Sequence, residues 1–238
     1  MDFSLVEKHF PEIELPQLRK LQAYGETLLD WNTRVNLISR KDTEQFVEHH
    51  LLHALAIKRF IHFPPGSRIL DVGTGGGLPG IPLAILYPNA QFTLVDSLEK
   101  KINVLKSMAL QLKLKNVLLR RTRIEEVKKD YDWVLGRAVT SLPVFVDWIR
   151  DRIRKSYQDD VHHGLIYLKG SLYQNECKTM GVEPDQIHEI YDWIPLEYYR
   201  EKYVLFFERE TVLKAKKPYR PKPKGKKRAP KKTKRIEP

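Results

Sequence analysis

The chain has a single cysteine, Cys177, among 238 residues. That excludes an internal disulfide and any cysteine-based metal cluster. No apolar run reaches the roughly 18–20 residues of a membrane-spanning helix. The N-terminal residues lack the basic head and apolar stretch of a secretory leader, and no internal repeat is visible. These absences predict a soluble, cytoplasmic protein. With 42% apolar residues the chain can bury one ordinary core. Glycine is sparse, at 12 residues, yet Gly73, Gly75, Gly76 and Gly77 fall within five positions. Acid is missing from one region only. Residues 214–238 hold 13 Lys/Arg against Glu237 alone, whereas residues 1–213 balance 29 Lys/Arg with 29 Asp/Glu. The net charge of +12 is therefore a property of the tail. Five prolines and few large apolar side chains predict that the tail is disordered. Its basic density predicts affinity for nucleic acid through counterion release. A membrane surface is the poorer expectation, because no apolar face accompanies the charges.

The pattern along the chain divides it into a helical segment (1–63), an α/β core (64–213) and the tail (214–238). In the first segment Leu18, Leu21, Leu28 and Leu29, with Tyr24 and Trp31, recur at helical spacing, as do Phe46, Val47, His50, Leu51, Ala54 and Leu55. Phe63-Pro64-Pro65-Gly66 is a stop. Strands are predicted at 68–72, 91–96, 117–121, 131–136 and 164–169, with two more near 187–194 and at 203–208. Helices are predicted at about 78–87, 98–113 and 141–155. Alternation at this spacing predicts a doubly wound, mostly parallel sheet whose last strands form an antiparallel hairpin.

The glycine turn after the first strand, and Asp96 at the end of the second, form the layout of a nucleoside-cofactor site. Glycines allow positive φ and close backbone approach; a carboxylate accepts from two ribose hydroxyls. The turn alone does not separate NAD, FAD and S-adenosylmethionine. Asp71, just before it, suits the cationic sulfonium and amino groups of S-adenosylmethionine better than a pyrophosphate, or it simply caps the turn. The spacing Gly73-x-Gly75-Gly76-Gly77 departs from that of a dinucleotide loop. S-adenosylmethionine is thus favoured, with an NAD-dependent oxidoreductase as the alternative.

The segment from Asp71 to Ala84 (DVGTGGGLPGIPLA) resembles the signature of the ribosomal small-subunit RNA methyltransferase G family, also called glucose-inhibited division protein B. Trp31-Asn32, Val35-Asn36-Leu37-Ile38, the run Asp96–Lys101, Gly136-Arg137-Ala138 and Leu168-Lys169-Gly170 match in order as well. The resemblance implies a class I methyltransferase that transfers a methyl group from S-adenosylmethionine to N7 of a guanine in the decoding-region loop of 16S rRNA. It implies that Gly73 approaches the methionine moiety, Leu78 covers it, and Asp96 holds the ribose. Ser97 and Leu98 would lie beside the adenine and Ile124 and Glu125 would flank it. Arg137 is placed at the cofactor, and Asn36 and His50 near the target base. The family usually has Pro, Ala or Ser at Gly76, and Asp-Ser where this chain has His53-Ala54. A non-catalytic ribosome-assembly factor with the same fold is a further alternative.

The chemistry of the residues agrees with N7. Amine methylation commonly uses an Asp/Asn-Pro-Pro-aromatic turn after the fourth strand, where this chain has Gly136-Arg137-Ala138-Val139. Cytosine C5 methylation needs a cysteine nucleophile, and Cys177 sits in a polar stretch without a neighbouring proline. Guanine N7 carries a lone pair and no proton, so proximity and orientation suffice and no general base is needed. Arg137 can bind a carboxylate, a phosphate or guanine O6, or form a plain surface ion pair. Lys169 ends the fifth strand on the same rim and can meet RNA phosphate or remain solvated. Asn36 as a helix cap and His50 as a core histidine are the structural alternatives. The expected partner is the small ribosomal subunit or its 16S rRNA, met by a monomer without a metal: His49, His50 and His53 lack carboxylate support beyond Glu48.

Overall fold

The structure, a computed structural model, describes residues 1–128, 131–155 and 162–218. Its centre is a seven-stranded sheet of order β3-β2-β1-β4-β5-β7-β6. The strands are β1 (Arg68–Val72), β2 (Gln91–Asp96), β3 (Val117–Arg121), β4 (Trp133–Arg137), β5 (Gly164–Gly170), β6 (Gln186–Glu189) and β7 (Lys202–Glu208). The first five pair in parallel, and β7 runs antiparallel between β5 and β6. The doubly wound sheet and the terminal antiparallel hairpin are both as the sequence predicts.

Burial on both faces explains why the inner strands read as continuous apolar runs. Alternate residues serve opposite cores: Ile69 joins one apolar cluster and Leu70 the other. The first cluster receives α1 (Ser4–His9), α2 (Leu15–Asn32), α3 (His53–Phe60), α4 (Gly80–Leu86) and α5 (Glu99–Gln111). The N-terminal helices thus share the core of the sheet. The second receives α6 (Leu142–Ile149), α7 (Tyr173–Met180) and α8 (Arg209–Lys214). Helix α2 starts on a reciprocal cap, with Glu14 N–H donating to Gln17 Oε1 at 3.3 Å and Pro16 in its first turn. A wide π-type turn, Phe46–Leu52, runs directly into α3.

Connections go outward from β1 through β2 to β3, then return to β4 on the other side of β1. The crevice opened by such a reversal, at the carboxyl ends of β1 and β4, is where ligands bind in open α/β sheets. Gly73 and Ala138 stand at its two lips.

Three predicted boundaries move. The helix expected to reach 155 stops at Ile149, because Ile153 bridges to Tyr131 and Asp132 binds both Arg154 and His163. The same bridge removes Tyr131 and Asp132 from β4. The strand expected at 187–194 ends at Glu189 and turns through Ile190–Asp192, burying Ile190 and Ile194. Helices α7 and α8 are not among those the sequence pattern predicts. Most of the tail lies outside the described residues, but its root is docked: Lys214 closes α8, Ala215 is buried and Lys216 N–H donates to Met180 O at 2.8 Å.

Candidate active site

The glycine loop is held from below and from the side. Gly73 and Thr74 N–H groups donate to Val95 O at 2.9 and 3.1 Å, continuing the sheet. Gly73 has φ +68°, and a Cβ there would meet Val139 at 2.9 Å, so the loop after β4 packs where a side chain would be. Asp71 Oδ2 accepts from Thr74 Oγ1 at 2.6 Å and from Gly80 N–H at 3.0 Å. It caps the turn. Burial pushes its carboxyl up to about 6 against these two donors. Among the described residues its Oδ1 has no hydrogen-bond partner.

The N-terminal helices complete the loop. Tyr24 Oη, on α2, donates to Gly76 O at 2.9 Å. Asn32 Oδ1 accepts from the N–H groups of Leu37 and Ile38 at 2.8 and 3.0 Å, which folds the 33–38 turn against the glycines. This ties Asn32 of the first motif to Leu37 and Ile38 of the second.

A cleft of about 400 Å³ opens above β1 and β2. Gly73, Asp96, Ser97, Ile124 and Glu125 all line it. Asp96 is buried; its Oδ2 accepts from Gly75 N–H at 3.2 Å and its Oδ1 from Leu98 N–H at 2.9 Å. Each oxygen keeps acceptor capacity toward the cleft. Arg152 Nη2 donates to the carbonyls of Ile124 and Glu125, both at 3.2 Å, fixing the opposite wall. Val139, Ile124 and Trp148 supply apolar surface. A glycine cradle, a buried carboxylate and apolar walls fit a nucleoside whose ribose meets Asp96. Leu78 does not line the cleft; it is buried in the core beneath the loop. Leu98 lies in an adjoining depression with Arg121 and Arg123, half exposed.

A second pocket, of about 500 Å³, opens on the other side of Ala138, which lines both. Ala138 has φ +52°, a strained value for a residue with a Cβ. Arg137 lines this pocket rather than the first. Its Nη2 donates to His50 Nδ1 at 2.6 Å and its Nη1 to His50 O at 3.3 Å. Burial, then the Arg137 charge, hold His50 down to about 3, so the ring is neutral with its proton on Nε2. Arg137 is partly buried, and among the described residues it forms no ion pair with a carboxylate. Lys169 also lines the pocket, but both Glu176 oxygens hold it, at 2.9 and 3.1 Å. Asn36 is exposed and lines neither pocket. Its neighbour Leu37 places a carbonyl 3.7 Å from where a Cβ on Gly75 would stand.

Sequence reasoning missed several lining residues. Thr122 and Arg123 directly precede Ile124, so contiguity could have found them. Lys101 and Trp148 reach the first cleft from α5 and α6, and only helix register decides that. In the second pocket the π-type turn presents His49, stacked on Tyr198 with ring centroids 3.7 Å apart. Lys202 Nζ stands 3.8 Å from the Tyr198 ring centre. His53, buried and held well below its usual value by that burial, lines the same pocket. Among the described residues no group of three or more His, Cys, Asp or Glu is arranged for a metal ion, and no helix is long and apolar enough to cross a membrane.

The sequence model of a family described as "rRNA small subunit methyltransferase G" matches residues 17–185. Curated relatives called ribosomal RNA small subunit methyltransferase G match over most of their length. One from Christiangramia forsetii is 39% identical, with 87% of this chain and 97% of the relative covered. One from Bacteroides fragilis is 41% identical, covering 85% and 98%. One from Flavobacterium psychrophilum is 47% identical, covering 68% and 78%. Among solved structures, a SAM dependent methyltransferase from Aquifex aeolicus superposes with a TM-score of 0.53 at 14% identity, covering 70% of this chain and 94% of that one, a likeness of fold.

Proposed function

This chain belongs to the rRNA small subunit methyltransferase G family, and we propose that it methylates N7 of a guanine in the decoding-region loop of 16S rRNA, using S-adenosylmethionine. The observation that carries the reading is the pair of pockets meeting at Ala138: a nucleoside cleft on one side and a cationic, aromatic pocket on the other. When bound, S-adenosylmethionine supplies a methyl whose bond to sulfur breaks with its electron pair as the N7 lone pair forms the new bond, so sulfonium becomes thioether, the purine becomes cationic and no proton moves.

The residues have the following parts in this reading. Asp96 takes the ribose hydroxyls, with Ser97 and Leu98 toward the adenine edge and Ile124 and Glu125 along its face. Gly73 brings backbone to the methionine end; Leu78 supports the loop from the core. Arg137 is a partly buried cation without a carboxylate partner, and a ligand carboxylate reaching past Ala138 would complete it. His50 orients Arg137 through Nδ1 and stays neutral throughout the physiological range. Lys169, paired to Glu176, fixes the rim, and Asn36 presents the loop that faces incoming RNA. The core 64–213 holds the cofactor, segment 1–63 forms one wall of the RNA cleft, and the tail adds sequence-independent affinity.

Transfer of label from S-adenosylmethionine to small-subunit rRNA, followed by aniline cleavage at 7-methylguanosine, tests the reading. Wild-type protein is expected to give one cleavage site. Asp96→Ala should weaken cofactor binding by about 10²-fold, since a charged hydrogen-bonding group is worth about 1.5–3 kcal/mol. Tight rRNA binding without labelling would instead favour an assembly factor.

A further inference from the structure

Glu201 is the one carboxylate among the described residues lining the second pocket; the other charged side chains there are Arg137, Lys169, Arg200 and Lys202. An acid on a cationic wall that is to meet RNA needs a reason, because RNA phosphate would be repelled by it. The backbone gives a second indication. Glu201 has φ +56°, a left-handed conformation that a residue with a Cβ adopts at a cost. The conformation is held by its own N–H donating to Glu189 Oε1 at 3.3 Å and by the start of β7 at Lys202. The third is orientation: Ser171 Oγ, also on the pocket wall, donates to Glu201 Oε2 at 3.3 Å.

Guanine and the other bases differ at the edge such a carboxylate can read. Guanine presents N1–H and N2–H as two parallel donors, matched to the two oxygens of one carboxylate. Adenine presents an acceptor at N1 and no amine at C2. N7 lies on the opposite side of the purine. Ala138 follows β4 and Glu201 precedes β7, with β5 between them. Two strand spacings, and the two residues by which the pairing register sets Glu201 further along β5 than Ala138, amount together to about 12 Å, room for one purine and a hydrogen bond. A guanine held by Glu201 would therefore direct N7 toward the boundary with the cofactor cleft. The charge balance points the same way. Methylation leaves the ring cationic, and Arg137 and Lys202 oppose that. A carboxylate on N1–H and N2–H strengthens its hold as the positive charge develops, which is binding realised in the transition state.

We propose that Glu201 is the specificity-determining residue for guanine, reading N1–H and N2–H and stabilising the cation formed at N7. The inference rests on the guanine-N7 reading above. The test uses the full chain and small-subunit rRNA carrying either guanine or inosine, which lacks the N2 amine, at the position the wild-type protein methylates. Wild type should prefer guanine over inosine by about 10-fold or more in kcat/KM. Glu201→Gln should lower kcat by about 10²-fold, leave S-adenosylmethionine Kd unchanged and reduce the guanine preference to near unity. Glu201→Asp should recover part of the loss. Unchanged cofactor binding shows that the variant is folded. Equal methylation of guanine and inosine rRNA by wild type, or a guanine preference retained in Glu201→Gln, overturns the proposal while leaving N7 methylation intact. Label in rRNA without aniline cleavage overturns the N7 reading itself, and this proposal with it.

Discussion

Two aspartates beside one loop have opposite parts, and their surroundings decide which. Asp96 accepts backbone N–H groups from Gly75 and Leu98 and still faces the cleft. Asp71 is sealed in, capping the turn for Thr74 and Gly80. The strand-end position of Asp96 was legible in the sequence; for Asp71 the choice between cap and cation-facing group was not, because Thr74 and Gly80 approach it only in the folded loop. Burial raises the Asp71 carboxyl to about 6 in the fold, above its unfolded value of 3.8. The folded state therefore holds the extra proton between those values. Stability is greatest below the unfolded pKa and falls as pH rises through the folded one, by about 3 kcal/mol in all. Asp71→Asn keeps an oxygen for both donors and removes the titration. Thermal melts from pH 4 to 7 should show the wild type losing stability relative to Asp71→Asn; parallel curves would refute the assignment.

At the scale of elements, helices whose apolar residues are long runs were readable, and short ones were not. Helix α7 exposes mostly polar side chains and buries only Tyr173, Cys177 and Met180, three residues at helical spacing followed by Gly181. That glycine has φ +67° and closes α7 by donating its N–H to Cys177 O at 2.8 Å. The same burial pushes the Cys177 thiol up to about 12, an inert core group. Gly181→Ala would strain the backbone and press a Cβ to 3.0 Å from Lys216 Cε. It should cost about 1 kcal/mol, read as a lower denaturation midpoint in urea without loss of cofactor binding. The π-type turn at Phe46–Leu52 had no signal beyond helical periodicity. It is anchored from outside, by Tyr198 Oη donating to His49 O at 3.1 Å and by Tyr199 Oη donating to Glu48 O. Those two tyrosines are about 150 positions away in sequence, so no local pattern could reveal the turn.

For the whole molecule, charge is divided between a neutral body and a basic end. Residues 219–238 carry ten Lys/Arg and one acid. The root of this segment is part of the fold, since Arg150 donates to Leu213 O and Ala215 O and Lys216 covers Gly181. A deletion that spares the fold therefore begins at 219 rather than at 214. Removing 219–238 should raise KM for rRNA and flatten its dependence on salt, because each phosphate neutralised by a Lys or Arg contributes about one unit to the logarithmic slope. Cofactor affinity, measured by calorimetry, should not change. An unaltered salt slope would show that the tail does not meet RNA.

The sequence by itself determined the succession of the strands and of the longer helices, the glycine turn, the carboxylate 23 residues beyond Gly73 and the position of the charge. Each is a local property: a period of two or 3.6, a glycine run, a count of lysines. Tertiary structure alone decided that Arg137 turns to His50 rather than to the first cleft, and that Glu201 and Ala138 line one pocket. Those relations depend on which strands become neighbours. The insertion of β7 between β5 and β6 brings a late segment beside β5, on the β4 side of the sheet, and nothing within reach of either segment along the chain records that meeting.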